Sequence, residues 1–272
     1  MTKLHLFFRR NIRFYLHLDK TQRFAIQTVF LTAGILLTQL IWDDYRFLMV
    51  GILAVCAYAL TIWSLSEDIK GIEWLMLFIL PVLFTFSVSL FYFLLPARWI
   101  IRLSTTTIFA IGTYAILKAV NIYNVAVNRS IPLLRVAQTS GLLITLVVVF
   151  LVSNIVLSLK MPFWANSIVV FPLIFLLSLQ SFWSITLENH ISRNLLMNSL
   201  LVAVIVGEES IALSFWPLQL STASLFFAAT YYAVTGIIQQ HLQGRLFRNT
   251  IREYIFAFII AFALLLLTSS WG

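Results

Sequence analysis

The stretch that decides the fold reads TSGLLITLVVVFLVSNIVLS (139–158), LKMP (159–162) and FWANSIVVFPLIFLLSLQSFWSITL (163–187). Both long runs are mainly apolar. A helix needs about 20 such residues to cross the hydrocarbon core of a bilayer, because it rises 1.5 Å per residue. The stretch therefore predicts two consecutive transmembrane helices.

Apolar runs of this kind fill most of the remaining chain. The nine predicted spans are 24–42, 46–63, 72–95, 99–120, 139–158, 163–187, 195–216, 218–238 and 254–271. The fourth run opens with Arg98 and Arg102 and has Lys118 near its end; if it does not cross the membrane, eight spans remain. The predicted fold is an all-α, polytopic transmembrane helical bundle.

The composition excludes several classes of protein. Of the 272 residues, 61% are apolar and 10% are charged, against about 25% charged residues in an average soluble domain. A soluble enzyme, a nucleic-acid-binding domain and a disordered chain do not fit these values. The single cysteine, Cys56, cannot form an intrachain disulfide, and no Cys/His cluster has metal-ligand spacing. We expect membrane lipids and membrane proteins as partners, and no cofactor, metal or nucleic acid.

The positions of Lys and Arg predict the orientation. With a cytoplasmic N-terminus, 14 of the 18 basic residues fall in inner segments. The four in outer segments are Arg46, Arg98, Arg102 and Lys160. Cytoplasmic loops of membrane proteins carry such an excess, so we expect a plasma (inner) membrane protein with its C-terminus outside.

The tryptophans test the spans independently, because indole prefers the interface between membrane and water. All eight fall at or near a predicted boundary: Trp42, Trp99, Trp164, Trp216 and Trp271 at outer ends, and Trp63, Trp74 and Trp183 at inner ends.

Residues 1–23 form a separate basic segment before the transmembrane domain, 24–272. On a helix, Arg9, Arg13, His17 and Lys20 share one face, and apolar residues gather on the other. This pattern predicts an amphipathic helix on the inner leaflet, with Arg9, Arg13 and Lys20 near anionic lipid. The alternative is a frayed basic tail that only sets the orientation.

One pair of acidic residues lies inside a span. Glu208 and Glu209 follow Gly207 in an apolar run whose centre is near Ile205. An ionised carboxylate that faces lipid at this depth costs several kcal/mol. The pair must therefore face protein or water, or keep its protons.

Arg102 is the candidate counter-charge, because it also belongs to an outer half-span. Asn154, Asn166 and Gln219 lie in the same half of the membrane. One hypothesis is an outward-opening polar pocket that contains a glutamate, Arg102 and these amides and binds a ligand, ion or proton. The other is a structural ion pair or hydrogen-bond cluster that locks helices together.

Known families of membrane enzymes with comparable features do not match. CAAX-type intramembrane proteases have an arginine four residues after their glutamate pair, where this chain has Leu213, and a last-helix histidine is missing after His241. UbiA-type prenyltransferases need two aspartate-rich loops, and only Asp43-Asp44 is present. Three functions remain open: a non-enzymatic membrane component, a carrier or channel-like protein, and an enzyme acting on a lipid-linked substrate.

Overall fold

The computed structural model describes residues 19–38, 45–65, 72–96, 98–127 and 132–269. Within these ranges almost every residue is helical and none is in a strand, which confirms the all-α prediction. The helices are α1 (Lys20–Thr38), α2 (Arg46–Leu65), α3 (Glu73–Tyr92), α4 (Trp99–Ala126), α5 (Leu134–Ser158), α6 (Phe163–Thr186), α7 (Arg193–Ser214), α8 (Leu220–Leu242) and α9 (Arg248–Thr268).

Eight of these described helices, α2 to α9, are long and apolar enough to cross a membrane. They include α4, which carries Arg102 in its first turn and Lys118 eight residues before its end; it is 28 residues long. The first two turns of α1 carry Lys20, Arg23 and Gln27, and its described part does not reach the same apolar content. The predicted first span continues to residue 42, outside the described residues, so a ninth span stays a prediction.

The N-terminal segment falls mostly outside the described residues. Arg9, Arg13 and the rest of 1–18 belong to this undescribed part. Lys20 is the first residue of α1, and the helix continues without a break through residues 23 and 24. Residues 20–23 are therefore part of the same helix as the predicted first span.

Helix α5 is at the centre of the bundle and packs against α3, α4, α6 and α8. Helices α6 and α7 form the most extensive pair of neighbours. At one edge α1 packs against α2 and α4, and at the other α9 packs against α8. This order places α4 and α7 on different sides of the central helices.

Small polar residues let the helices pack closely while many of their hydroxyls stay hydrogen-bonded. Many buried hydroxyls donate a hydrogen bond to a carbonyl one turn earlier in their own helix, as Thr85 does to Pro81 and Ser199 to Leu195. Between α4 and α5, the Tyr123 hydroxyl donates to the Ala137 carbonyl at 2.7 Å. A Cβ at Gly141 would collide with that hydroxyl oxygen, so a glycine is needed where these helices meet.

The described tryptophans lie at helix ends, as the sequence predicts. Trp74, Trp99 and Trp164 are in the first turns of α3, α4 and α6, Trp63 and Trp183 are in last turns, and Trp216 follows α7. Trp42 and Trp271 lie outside the described residues.

Candidate functional site

The two adjacent glutamates of α7 face different surroundings. Consecutive residues of a helix point about 100° apart, so one side of α7 cannot hold both. Glu208 is exposed on the outer surface of the bundle, whereas Glu209 is half-buried and turned toward α8. The pair is therefore two separate groups and not a two-carboxylate site.

Glu209 is tied to the neighbouring helix. The hydroxyl of Thr230 on α8 donates a hydrogen bond to Oε1 of Glu209, with 3.1 Å between the oxygens. The second oxygen, Oε2, is buried and has no hydrogen-bond partner among the described residues. Ser210, the next residue of α7, is fully buried and its hydroxyl is also unpartnered. The site thus combines one interhelical bond with unused hydrogen-bonding capacity.

Polar contacts on the other side of α7 fix its position against α6. The Ser167 hydroxyl donates to the carbonyl of Gly207 at 3.0 Å, and the Asn166 amide donates to the Ser214 hydroxyl at 2.9 Å. Both bonds join α6 to α7 and lie on either side of the glutamate pair along the helix. They hold the backbone that carries Glu209, so its side chain is presented to α8.

Arg102 does not join the glutamates. Its helix, α4, packs against α1, α3 and α5, whereas α7 packs against α6 and α8. The Arg102 guanidinium carbon lies 5.4 Å from the centre of the Trp99 ring, in the geometry of a cation–π contact. Its Nε is buried and has no hydrogen-bond partner in the described part of the chain. Arg102 and the glutamates were expected to pair because they lie in the same half of the membrane, but α4 and α7 are not neighbours in the bundle.

The predicted amides are also dispersed. Asn154 is buried on α5, Asn166 is engaged between α6 and α7, and Gln219 is exposed just before α8. The structure therefore does not assemble the pocket of a glutamate, Arg102 and these three amides. Of the predicted residues, Glu209 and Asn166 both lie in polar contacts of α7, with α8 and α6 respectively.

A second group of polar side chains is in the opposite half of the bundle. The Gln239 amide of α8 donates to the Ser181 hydroxyl of α6 at 2.8 Å, and the Gln138 amide of α5 donates to the Ser184 carbonyl at 2.8 Å. Tyr231 and Ser178 lie next to this group and are fully buried, and the Tyr231 hydroxyl faces the hydroxyls of Ser178 and Ser181. Sequence analysis missed the group, although Ser178, Ser181 and Ser184 recur every three residues in the second half of α6.

The described residues contain no group of three or more His, Cys, Asp or Glu side chains that could hold a metal ion. An open surface groove lies along α9, lined by Arg252, Glu253, Ile255, Phe256 and Ile259. This groove is on a different helix from the polar site of α7 and α8.

These features define a multi-pass α-helical membrane protein with eight helices able to span, counted over the described ranges. The chain belongs to the family described as protein of unknown function (DUF5656), whose sequence model matches residues 32–268. No curated protein and no solved structure matches the chain.

Proposed function

We propose that the protein is a non-enzymatic integral membrane component that acts through contacts with lipids and other membrane proteins. The observation that carries this proposal is the hydrogen bond between Thr230 and Glu209, in which an acidic side chain of α7 joins this helix to α8. Polar side chains inside a membrane commonly join helices in this way.

The other interior polar groups support the same function. Interhelical hydrogen bonds join α6 to α7, α6 to α8 and α5 to α6. At the edge of the bundle, the Gln27 side chain bonds to Thr61 at 2.7 Å and accepts from Ser64 at 2.8 Å, which joins α1 to α2. Side chains that make such bonds hold neighbouring helices together.

A double-mutant cycle on Glu209 and Thr230 tests this function. Glu209→Leu and Thr230→Val each remove one partner, and the double variant removes both. We expect each single variant to lower the free energy of unfolding, with a coupling energy of about 0.6 kcal/mol, the average for interhelical hydrogen bonds in membranes, and at most about 1.7 kcal/mol. Glu208→Leu is the matched control, because that side chain is exposed one residue away. A coupling energy of zero would contradict a structural role for the bond.

The second candidate is a carrier for a small solute, ion or lipid. Two buried groups of α7 favour it: Oε2 of Glu209 and the hydroxyl of Ser210 each lack a hydrogen-bond partner among the described residues, and such a group fits a polar ligand. A water-accessible path to these groups would separate the two functions.

Thiol accessibility detects such a path. In a Cys56→Ser background, a cysteine replaces Ser210, and membrane-impermeant thiol reagents are applied to the protein in liposomes. A packing role predicts that this cysteine is protected, while a control cysteine at the exposed Gln219 reacts quickly. Comparable reaction rates at the two positions would favour the carrier and count against the first proposal.

We further propose the orientation that the basic residues indicate: plasma membrane, N-terminus cytoplasmic and C-terminus outside. Successive spans alternate in direction, so the connections that follow α2, α4, α6 and α8 share one side. The described cations Arg135, Arg193, Arg245 and Arg248 lie on that side, and Lys20, Arg9 and Arg13 would meet anionic lipid there. Reporter fusions at His190 and Lys160 test it: we expect cytoplasmic signal at residue 190 only.

A further inference from the structure

The start of α4 carries two arginines, one turn apart. Arg98 directly precedes the first residue of the helix, and its carbonyl accepts a hydrogen bond from the N–H of Arg102 at 3.0 Å. The Arg98 side chain is exposed, and that of Arg102 is half-buried. None of the described residues forms an ion pair with either guanidinium or accepts a hydrogen bond from it. Two positive charges at the end of an apolar helix therefore have no counter-charge in the described part of the chain.

The surroundings of Arg102 hold its guanidinium at this end of the bundle. The guanidinium carbon lies 5.4 Å from the centre of the Trp99 ring. The Tyr92 hydroxyl, at the end of α3, is buried and lies near Arg102 and Thr106. A cation–π contact uses the face of the aromatic ring and no N–H donor. The planar guanidinium thus keeps the fork of donors that matches the oxygens of a phosphate group.

The backbone at the start of α4 also attracts an anion. Arg98 is the N-cap residue of this 28-residue helix and makes no side-chain cap, and the first turn contains no acidic residue. The first N–H groups of a helix have no partner within it, and the aligned peptide dipoles give this end a partial positive charge. Helix N-termini bind phosphate groups for these reasons. The two arginines and the helix end therefore favour the same kind of ligand.

We propose that this ligand is the phosphate group of an anionic phospholipid, bound by Arg98 and Arg102 at the start of α4. The neighbouring side chains are apolar and exposed: Trp99 is 71%, Ile100 80% and Leu103 60% exposed. Such a surface suits the glycerol and acyl parts of a lipid better than a soluble anion, which loses water beside it. No described carboxylate pairs with the arginines, so the site offers nothing to the ammonium of a zwitterionic headgroup.

This site is separate from the lipid contacts that the other basic residues predict. Successive helices alternate in direction, so the start of α4 is at the end of the bundle opposite to Arg135 and Arg193. In the predicted topology that end holds four of the 18 basic residues, so the excess of cations on the cytoplasmic side does not explain an arginine pair there. The site uses neither Glu209 nor Thr230. It names one lipid contact of the proposed membrane component, but it is independent of the packing role of their bond.

Native mass spectrometry of the full chain tests the site, because it resolves the first lipid that binds in detergent. The protein is titrated with phosphatidylglycerol and, separately, with phosphatidylcholine of the same acyl chains. We expect one phosphatidylglycerol to bind before any phosphatidylcholine. Arg98→Gln and Arg102→Gln should each weaken the dissociation constant of that lipid about fivefold, the contribution of one arginine to binding anionic lipid. The matched control, Lys160→Gln, removes an exposed positive charge that follows α5 and should weaken it less than about twofold.

Two further measurements separate a built site from general attraction. Arg102→Lys keeps the charge but not the planar fork, so it should bind less tightly than the unmodified chain. Glycerol phosphate, the soluble headgroup without acyl chains, should not displace the lipid at millimolar concentration. Thermal unfolding should be nearly unchanged in the variants, because neither guanidinium bonds to a described residue. Equal binding of the two lipids, equal losses from Lys160→Gln and Arg102→Gln, or displacement by glycerol phosphate would overturn the proposal.

Discussion

Helices α3 and α9 are both apolar enough to cross a membrane, yet α3 is largely buried inside the bundle and α9 is largely exposed at its edge. In the most apolar stretch of α3, 61% of the residues are buried, and in that of α9 11% are buried. Both stretches are strongly apolar. Hydropathy therefore predicts which segments cross the bilayer, but it does not predict whether a segment faces lipid or protein.

Small polar residues are one difference between the two helices, although α4 also carries several of them and only 28% of its most apolar stretch is buried. Helix α3 carries Thr85, Ser87 and Ser89, all buried, and the central helix α6 carries Ser178, Ser181 and Ser184. Residues 255–267 of α9 contain no hydroxyl or amide side chain. Lipid tails are as apolar as leucine, so helices associate where small side chains allow close packing and hydrogen bonds. Helix α9, which has no small polar side chain over residues 255–267, lies at the edge of the bundle.

Truncation of one phenylalanine in each kind of helix should give the largest contrast. Phe182 of α6 is fully buried, and Phe256 of α9 is 65% exposed. We expect Phe182→Ala to lower the free energy of unfolding by about 3 kcal/mol or more, because it leaves a cavity and removes packing contacts. Phe256→Ala should change it by less than about 0.5 kcal/mol. Unfolding in mixed micelles measures both, and similar losses would remove the distinction between centre and edge.

A substitution in the contact between α8 and α9 should have an effect of intermediate size on stability. A Cβ at Gly236 would collide with the ring of Tyr254, so Gly236→Ala should destabilise by about 1–3 kcal/mol and loosen α9. The control is Gly51→Ala in α2, where a Cβ meets no atom within 4 Å and alanine should stabilise slightly. Tyr254→Leu in the Gly236→Ala chain should restore stability. If Gly236→Ala alone does not lower the free energy of unfolding, α9 is bound to the bundle through other contacts.

The sequence is sufficient to predict the helices, because length and apolar content decide whether a segment crosses a membrane. The predicted fourth span, opened by Arg98 and Arg102, is present in α4 over a longer range than predicted. The first predicted span is described only in part: its helix begins earlier, with Lys20 and Arg23, and residues 39–42 lie outside the described ranges, so its crossing stays a prediction.

The candidate site was only partly predictable, since depth along a helix follows from the sequence but the order of helices in the bundle does not. Glu209 and Asn166 were identified as intramembrane polar residues, and both make interhelical hydrogen bonds. Arg102 shares their half of the membrane but lies on α4, away from α7. Which helices become neighbours depends on the fit of many side chains at once, and no single spacing in the chain encodes it.

The smallest expected effect comes from removing a hydroxyl that bonds to a neighbouring helix, compared with one that bonds within its own helix. Ser167 of α6 donates to the Gly207 carbonyl of α7, whereas Thr268 of α9 donates to Leu264 within its own helix at 2.9 Å. Ser167→Ala removes an interhelical bond and should lower the free energy of unfolding by about 0.6 kcal/mol. Thr268→Val removes a bond that lies within α9 and links it to no other helix, so it should leave the free energy of unfolding unchanged. If both variants lower the free energy of unfolding equally, hydroxyls stabilise the protein through bonds within their own helices. The link between small polar residues and a central position would then have to rest on close packing alone.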